Sequence, residues 1–477
     1  MHPRARRRGS RWIRREKRGP KEATPPTLPA RNALRTFFRP WIPPTPHLPP
    51  PPSSTTFSLL SWNVLAPSLV DPSYLGFASE EDLAWSVRGP RVHALLQEQR
   101  PDIVCLQEDD RYPEFLDALN AHVLKPSPAP SPPTMAPSLP PLDPLLSPGA
   151  TSSGTPFGME GVEGVGPAPL EPFASPSPPS MPAYAGRWKK RTGPTKADGC
   201  SVLWRTQRFE LVEAEEVEYR IPGCEFLDRD NVAILVVLQE RGREGRGERG
   251  EGGEGGGEGR KLVVANTHLL FNPRRGDVKL AQLQVLLARV QALRSRHPSA
   301  DVVVCGDFNA TPDSALYAWM SAGFLDVTAL NRRWVGGRRE GAAGAVACAE
   351  DYSPGGLPPL VHTLGLASAY AHRPAAWTTG EPAFTSYGGS FRGTVDYIWY
   401  GRDDRGRGGL RCLEYWGMPK EAELRSQVGL PCRAMPSDHL PLMVKLAWAE
   451  GRRAGGRGGG REGGQGRRGQ RRKSSWS

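Results

Sequence analysis

No run of 18 or more apolar residues occurs anywhere in the chain, so no segment reads as a membrane-spanning helix. The cysteines are few and unpaired. Cys105, Cys200, Cys224, Cys305, Cys348, Cys412 and Cys432 stand singly, with no C-x-x-C among them. That spacing argues against a disulfide framework and suits a reducing compartment. Cys105 and Cys305 lie inside apolar runs, where a free thiol packs as a small hydrophobe. The N-terminus lacks a secretory apolar core. Neither a P-loop nor a glycine-rich dinucleotide fingerprint is present, which argues against triphosphate-driven motors and dehydrogenases. There is no internal repeat, and in particular no leucine-rich array.

What abounds is glycine and proline, 54 and 50 of 477 residues, well above ordinary usage. They cluster. Residues 1–56 are Arg-rich and then Pro-rich, 126–182 are dominated by Pro, Ser and Gly, and 241–260 contain no apolar residue. Residues 450–477 form a Gly/Arg tail, and 336–349 are a shorter Gly/Ala-rich stretch. None carries enough apolar surface to offset the entropy of ordering, so disordered tails and low-complexity insertions are expected around one catalytic domain, 57–449. Charge follows the same division. Residues 1–50 carry 13 Lys/Arg against 2 Glu, and 451–477 carry 9 against 1, so the net +12 leaves the body between them acidic. An acidic body still binds a polyanion where carboxylates hold a divalent metal. The Arg-rich start reads equally as a nuclear signal, an RNA-binding arm or an organellar presequence, and the Gly/Arg tail as a non-specific RNA binder. The bland reading of both tails is compositional bias alone.

Between these segments, short Val/Leu/Ile-rich runs bounded by turn residues predict strands. They are FSLLSWNVL (57–65), DIVCLQE (102–108), CSVLWR (200–205), NVAILVVLQ (231–239), KLVVANTHLL (261–270), DVVVCGDFN (301–309), TVDYIWY (394–400) and LPLMVKLAW (440–448). Several are apolar throughout, as strands buried on both faces are. The 241–260 insertion falls between two of them and is expected at a hairpin tip, where added length costs little. Leu283, Leu286, Leu287, Val290 and Leu293 recur at helical spacing after Asp277, which is expected to cap that helix. Val92, Leu95 and Leu96 mark a second helix near 90–100. The fold class expected is α/β, two packed sheets covered by helices.

Polar side chains recur at the ends of these strands: Asn63, Glu108, His268, Asp307 with Asn309, Asp396, and Asp438-His439. Singly, an Asn or Glu there is an ordinary turn residue, and a His an ordinary hydrogen-bonded structural one. So many strand ends in one chain are harder to explain that way, because strand ends are where α/β enzymes assemble their sites. The set suits phosphodiester hydrolysis. Charge accumulating on phosphoryl oxygens calls for a hard cation with oxygen ligands, Mg²⁺ first and Mn²⁺ as the alternative. Glu108 is the expected metal ligand, helped by the amide oxygen of Asn63. Asp307 is expected to orient or deprotonate water, Asn309 to donate to the phosphate, and His439 to assist the phosphorane or the leaving oxygen. Asp396 would fix the tautomer of His439 and raise its pKa.

WNVLA around Asn63, CLQE ending at Glu108, GDFN around Asp307 and SDHLPL around His439 resemble the endonuclease/exonuclease/phosphatase superfamily. RWKKRTGPTKADGCSVLW (187–204), VANTHLLFNPRRGDVKLAQL (264–283) and FRGTVDYIWY (391–400) are similar to its deadenylase-like branch, the carbon catabolite repressor, nocturnin and Angel types, and most of all to Angel. The resemblance covers roughly 57–126, 184–239 and 261–449. It implies a four-layered αββα sandwich like that of pancreatic deoxyribonuclease. It implies metal at Glu108 near Asn63, catalytic Asp307, Asn309, Asp396 and His439, and His268 among the phosphate contacts. It also implies an adenine sandwich at Pro273 and Phe391, for which Phe391 has core packing as its ordinary alternative. The function implied first is a Mg²⁺-dependent 3′–5′ exoribonuclease on single-stranded RNA, preferring poly(A) tails and releasing 5′-AMP. A 2′,3′-cyclic phosphatase of RNA ends or a 2′,5′-phosphodiesterase is the enzymatic alternative, and an inactive RNA-binding adaptor the non-enzymatic one. A cytoplasmic or nuclear monomer is expected, without the leucine-rich docking domain of the repressor-type enzymes. One departure stands out: Asp109 follows Glu108 where the branch has Val, and it is expected to point into solvent.

Overall fold

A computed structural model describes residues 39–44, 56–121, 182–224, 227–241, 259–327, 330, 335, 359–372, 379–388, 391–402, 409–425 and 429–449. The tail 450–477, the stretch 336–349, and most of 1–56, 126–182 and 241–260 lie outside the described residues, as does Cys348.

In chain order the first elements are β1 (Trp41–Ile42), β2 (Thr56–Asn63), α1 (Glu80–Leu83), α2 (Trp85–Gln99), β3 (Ile103–Gln107), α3 (Tyr112–Ala121), β4 (Tyr184–Lys190), β5 (Gly199–Arg205), β6 (Phe209–Glu218) and β7 (Val232–Glu240). Then come β8 (Lys261–His268), α4 (Gly276–Arg296), β9 (Asp301–Asp307), α5 (Ala315–Ala322), β10 (Phe324–Leu325), β11 (Leu360–Val361) and β12 (Leu366–Ser368). The last are β13 (Ser386–Tyr387), β14 (Arg392–Gly393), β15 (Asp396–Gly401), β16 (Leu410–Trp416), α6 (Glu421–Arg425) and β17 (Leu442–Trp448). One large sheet runs β1-β16-β17-β2-β3-β5-β4 and a second β12-β15-β9-β8-β7-β6, while β10 pairs with β11 and β13 with β14 as two-stranded ribbons. The insertion at 241–260 joins β7 to β8, which pair antiparallel with Gln239 opposite Lys261, so it leaves a hairpin tip as expected.

Three cores explain why these strands are apolar on both sides. Alternate residues such as Leu59, Cys105, Ile234, Val264 and Val303 pack between the sheets. Their neighbours Leu60, Val104 and Leu106 turn outward to meet Val92, Leu96 and Phe115 of α2 and α3. On the opposite flank Val263 and Val304 meet Leu283, Leu287 and Leu293 of α4. Side chains alternate across a strand, and each fully buried Leu or Val contributes about 1.5–3 kcal/mol. Helix, sheet, sheet, helix: the chain is the four-layered α/β sandwich.

Three local expectations need correction. Residues 39–44 are not part of an unstructured arm, because β1 pairs with β16. Arg39 locks it there by donating to the Gly417 and Pro441 carbonyls at 2.6 and 2.7 Å and stacking on Trp416. Asp277 does not cap α4. The helix begins at Gly276, and the buried Asp277 carboxylate accepts from the Arg275 guanidinium at 3.0 Å. The second helix starts at Trp85, well before 90.

Candidate active site

Each sheet holds one parallel strand pair at its middle, β2 with β3 and β8 with β9, joined through α2 and α4 respectively. In register, Asn63 lies opposite Gln107 and His268 opposite Asp307, so the carboxyl ends of both pairs reach the same edge. β15 runs antiparallel beside β9 and sets Asp396 across from Asp307. His439 joins them through a bridge to Ser386. Gly306 makes the delivery of Asp307 possible. Its φ is 136°, and a Cβ there would come within 1.9 Å of the Thr267 carbonyl oxygen, forcing β8 and β9 apart.

The side chains converge. The Asn63 amide donates to Glu108 Oε1 at 3.1 Å and to Asp307 Oδ2 at 3.2 Å, so one NH₂ group touches both carboxylates. Glu108 Oε2 accepts from the Ala66 N–H, and Asp307 Oδ1 from the Asn309 N–H. Across Asp307 Oδ2 stand His268 Nε2 at 3.5 Å and His439 Nε2 at 3.8 Å. His439 Nδ1 is bound to Asp396 Oδ2 at 2.8 Å. The Ser437 hydroxyl donates to the Asn63 carbonyl and accepts from the His439 N–H, tying the two halves together.

Electrostatics follow from burial. Burial pushes the Glu108 carboxyl above its usual range, although His268 draws it back. It raises Asp396 too, with His439 opposing. For His439, burial works against the charge, but Asp396, Asp438 and Asp307 outweigh it and hold the ring well above an ordinary histidine. His439 thus presents Nε2 to Asp307 while Nδ1 stays on Asp396. A carboxyl whose proton affinity rises is short of positive charge, and hard oxygen donors short of positive charge fit a divalent cation. Glu108 supplies such donors, with the Asp307 carboxylate on the same Asn63 NH₂ group. Ligand atoms of Asp307, Asp396 and His439 also lie within 4.8 Å of one another, but Asp396 and His439 Nδ1 occupy each other.

All the polar strand-end residues named from sequence meet at this edge. Asn63 presents its NH₂ to the two carboxylates, and its oxygen accepts from the Leu65 N–H at 3.0 Å. Pro273 lies in the turn before α4, and Phe391 is half-buried beside β14, its ring seated where a Gly393 side chain would be. Asp109 does not face solvent. It is fully buried, accepts from the Ser201 hydroxyl at 2.6 Å, and burial pushes its carboxyl up to about 7.

Sequence reasoning missed the supports. Gln107 donates to Asn266 across the sheets at 2.7 Å, and Asn266 donates to the Leu106 and Ser201 carbonyls. Lys279 donates to the Asn309 carbonyl at 2.7 Å, and Gln282 receives the Leu270 N–H. Thr385 donates to Asp396 Oδ2 at 2.6 Å. Buried polar residues in otherwise apolar runs were the available sign, since each needs a partner.

Two stacked sheets bring carboxylates and a His–Asp pair to one edge, the groups that phosphoester hydrolysis uses as metal donors, base and acid. A profile of the Endonuclease/Exonuclease/phosphatase family matches residues 60–439, and the chain belongs to that family. Its relatives are carbon catabolite repressor 4 homologues and Angel proteins. It is 32% identical to carbon catabolite repressor protein 4 homolog 3 of Arabidopsis thaliana, over 54% of this chain and 58% of that one. It is 28% identical to protein angel homolog 2 of Danio rerio, over 82% of this chain and 64% of that one. The chain thus spans about three fifths of the length of these curated relatives. Among solved structures it resembles ANGEL2, described as a 2′,3′-cyclic phosphatase, in complex with adenosine-2′,3′-vanadate. That match has a TM-score of 0.61 and 26% identity, and covers 86% of this chain and 98% of the other. No helix among the described residues is long and apolar enough to cross a membrane.

Proposed function

We propose that the chain hydrolyses 2′,3′-cyclic phosphates at the 3′ ends of single-stranded RNA. The observation that carries a phosphoester reaction is the His439–Asp396 pair facing the Asn63-bridged carboxylates of Glu108 and Asp307. The likeness to ANGEL2 over nearly all of that chain supports the cyclic end as substrate. This reverses the order in which the sequence ranks the two enzymatic readings.

Water adds to phosphorus, and the bond from phosphorus to one ribose oxygen breaks. Asp307 Oδ2 is positioned to take the proton of the water, and His439 Nε2 to return one to the departing oxygen. The Asn309 amide, beside Asp307, would receive a phosphoryl oxygen. Mg²⁺, or Mn²⁺ in its place, bound at Glu108 and Asp307, would supply neutralisation of the phosphoryl charge. Asn63 then holds the two carboxylates at a fixed separation.

The second reading, a poly(A)-preferring 3′–5′ exoribonuclease releasing 5′-AMP, is supported by Pro273 and Phe391, the residue types that the deadenylase resemblance pairs around an adenine. The test is a substrate panel with Mg²⁺ or Mn²⁺: labelled A₂₀, a random-sequence RNA, and an RNA ending in a 2′,3′-cyclic phosphate. Loss of the cyclic phosphate alone supports the proposal. A ladder on A₂₀ moves the assignment to the exoribonuclease. No product with any divalent metal refutes both and leaves an RNA-binding adaptor.

A further inference from the structure

A buried charge lies beneath the site with no counter-ion in contact. Arg88 stands on α2 and is completely buried. Its Nε donates to the Leu83 carbonyl at 3.0 Å, and its Nη1 to the Val64 and Pro436 carbonyls at 3.3 and 3.0 Å. Val64 follows Asn63, and Pro436 precedes Ser437, whose hydroxyl holds the His439 N–H. One guanidinium thus joins the two segments that carry Asn63 and His439. Its Nη2 is buried without a hydrogen-bond partner among the described residues, and the group makes no ion pair with any of them.

Three carbonyls need donors but no charge, and burying a cation costs far more than burying a neutral donor. The charge itself therefore calls for a reason. Burial lowers the Arg88 pKa to about 10, with Asp438, Glu108 and Asp110 opposing the fall, so the group stays charged at neutral pH. Those three carboxylates feel its field without being bound by it. A contact ion pair would take Glu108 away from a metal ion. A charge held off contact leaves the carboxylate oxygens free and repels whatever cation they hold. We infer that Arg88 sets the affinity of the Glu108 site for its divalent cation, weakening it so that the ion exchanges instead of staying resident. Arg88 is in this sense a positioning residue, acting through space and touching neither ion nor substrate.

The inference rests on the metal reading above, and its test needs no turnover. Mn²⁺ is titrated into the purified full chain at pH 8, and the free ion is read by electron paramagnetic resonance. The binding counted is that lost in Glu108→Ala. Arg88→Gln keeps a donor and loses the charge, Arg88→Met loses both, and Arg88→Lys keeps the charge; circular dichroism establishes which variants are folded. Each folded neutral variant should bind Mn²⁺ at least about tenfold more tightly than the wild type, and the lysine variant should stay within threefold of it. An arginine that only braces the fold gives the opposite sign, because a loosened site binds more weakly. Unchanged or weaker binding in the neutral variants overturns the inference and leaves the metal reading standing. Equal tightening in Arg88→Lys overturns it too, since the charge is then not the cause. No saturable binding in the wild type and the variants alike removes the metal reading and the inference with it.

Discussion

Asp396→Asn tests how the histidine is prepared for chemistry. Thr385 Oγ1 accepts the backbone N–H groups of Val395 and Asp396 at 3.0 and 3.1 Å, so its one hydroxyl proton goes to Asp396 Oδ2 at 2.6 Å. An asparagine at 396 keeps its oxygen at that position to accept the same proton. Its NH₂ then falls where Oδ1 now stands, 3.1 Å from His439 Nδ1. The oxygen stays 2.8 Å from Nδ1 and still accepts its proton, but the negative charge that offset burial is gone. Without that charge the proton affinity of the ring falls, and less of the acid form is available at neutral pH. General acid catalysis is worth about 10²–10⁴-fold, so kcat on the cyclic-ended RNA should fall by that factor. KM should stay within a few-fold, because the contact matters in the transition state. Single-turnover kinetics give the rate, and thermal unfolding establishes that the variant is folded. A folded variant that keeps kcat within threefold of the wild type would show that the Asp396 charge beside His439 does not matter.

Glu108→Ala should lower turnover by at least about 10³-fold in a variant that thermal unfolding shows to be folded; full activity in that variant removes the metal assignment. Phe391→Ala should cost more on A₂₀ than on a random-sequence RNA, by about 1–3 kcal/mol in kcat/KM, and equal loss on both argues against adenine stacking. Glu381 is buried, accepts from the Tyr317 hydroxyl at 3.0 Å, and is pushed by burial from 4.5 up to about 7. As pH rises through that window the unfolded chain releases its proton first, so stability falls by about 3 kcal/mol between pH 4.5 and 7 and then levels off. Glu381→Gln removes that fall, and urea unfolding at pH 4.5 and 8 should show the variant gaining on the wild type only at the higher pH.

Much of this site was legible because burial on both faces makes a strand read as an unbroken apolar run, so the polar residue that ends it is conspicuous. Asn63, Glu108, His268 and Asp307 all end such runs. What sequence could not carry is pairing across hundreds of residues. Nothing in the segment around Trp41 looks like a strand, and it becomes one only because the Gly417 and Pro441 carbonyls meet Arg39. Asp109 looks like a second rim carboxylate until β5 brings Ser201 against it. Asp277 sits where a capping residue should, but the neighbouring Arg275 guanidinium competes for its carboxylate.

Four non-glycine residues among those described have positive φ, and three of them follow the central strands at the site: Leu65 at 54°, Glu108 at 55° and Asn309 at 50°. Such a conformation costs about 1–3 kcal/mol each unless surrounding contacts impose it. Here the contacts are visible. The Leu65 N–H is held by Asn63 Oδ1, Glu108 by the Asn63 amide and the Ala66 N–H, and Asn309 by Asp307 Oδ1 and by Lys279. Beneath them Gln107 and Asn266 hydrogen-bond one sheet to the other, so the two edges cannot slide apart. A left-handed residue turns the backbone within one step, and so aims the carboxylate of Glu108 across the gap between the sheets instead of along its strand. The strain at these strand ends and the polar bonds below them therefore serve the same end, a fixed distance between carboxylates contributed by different sheets.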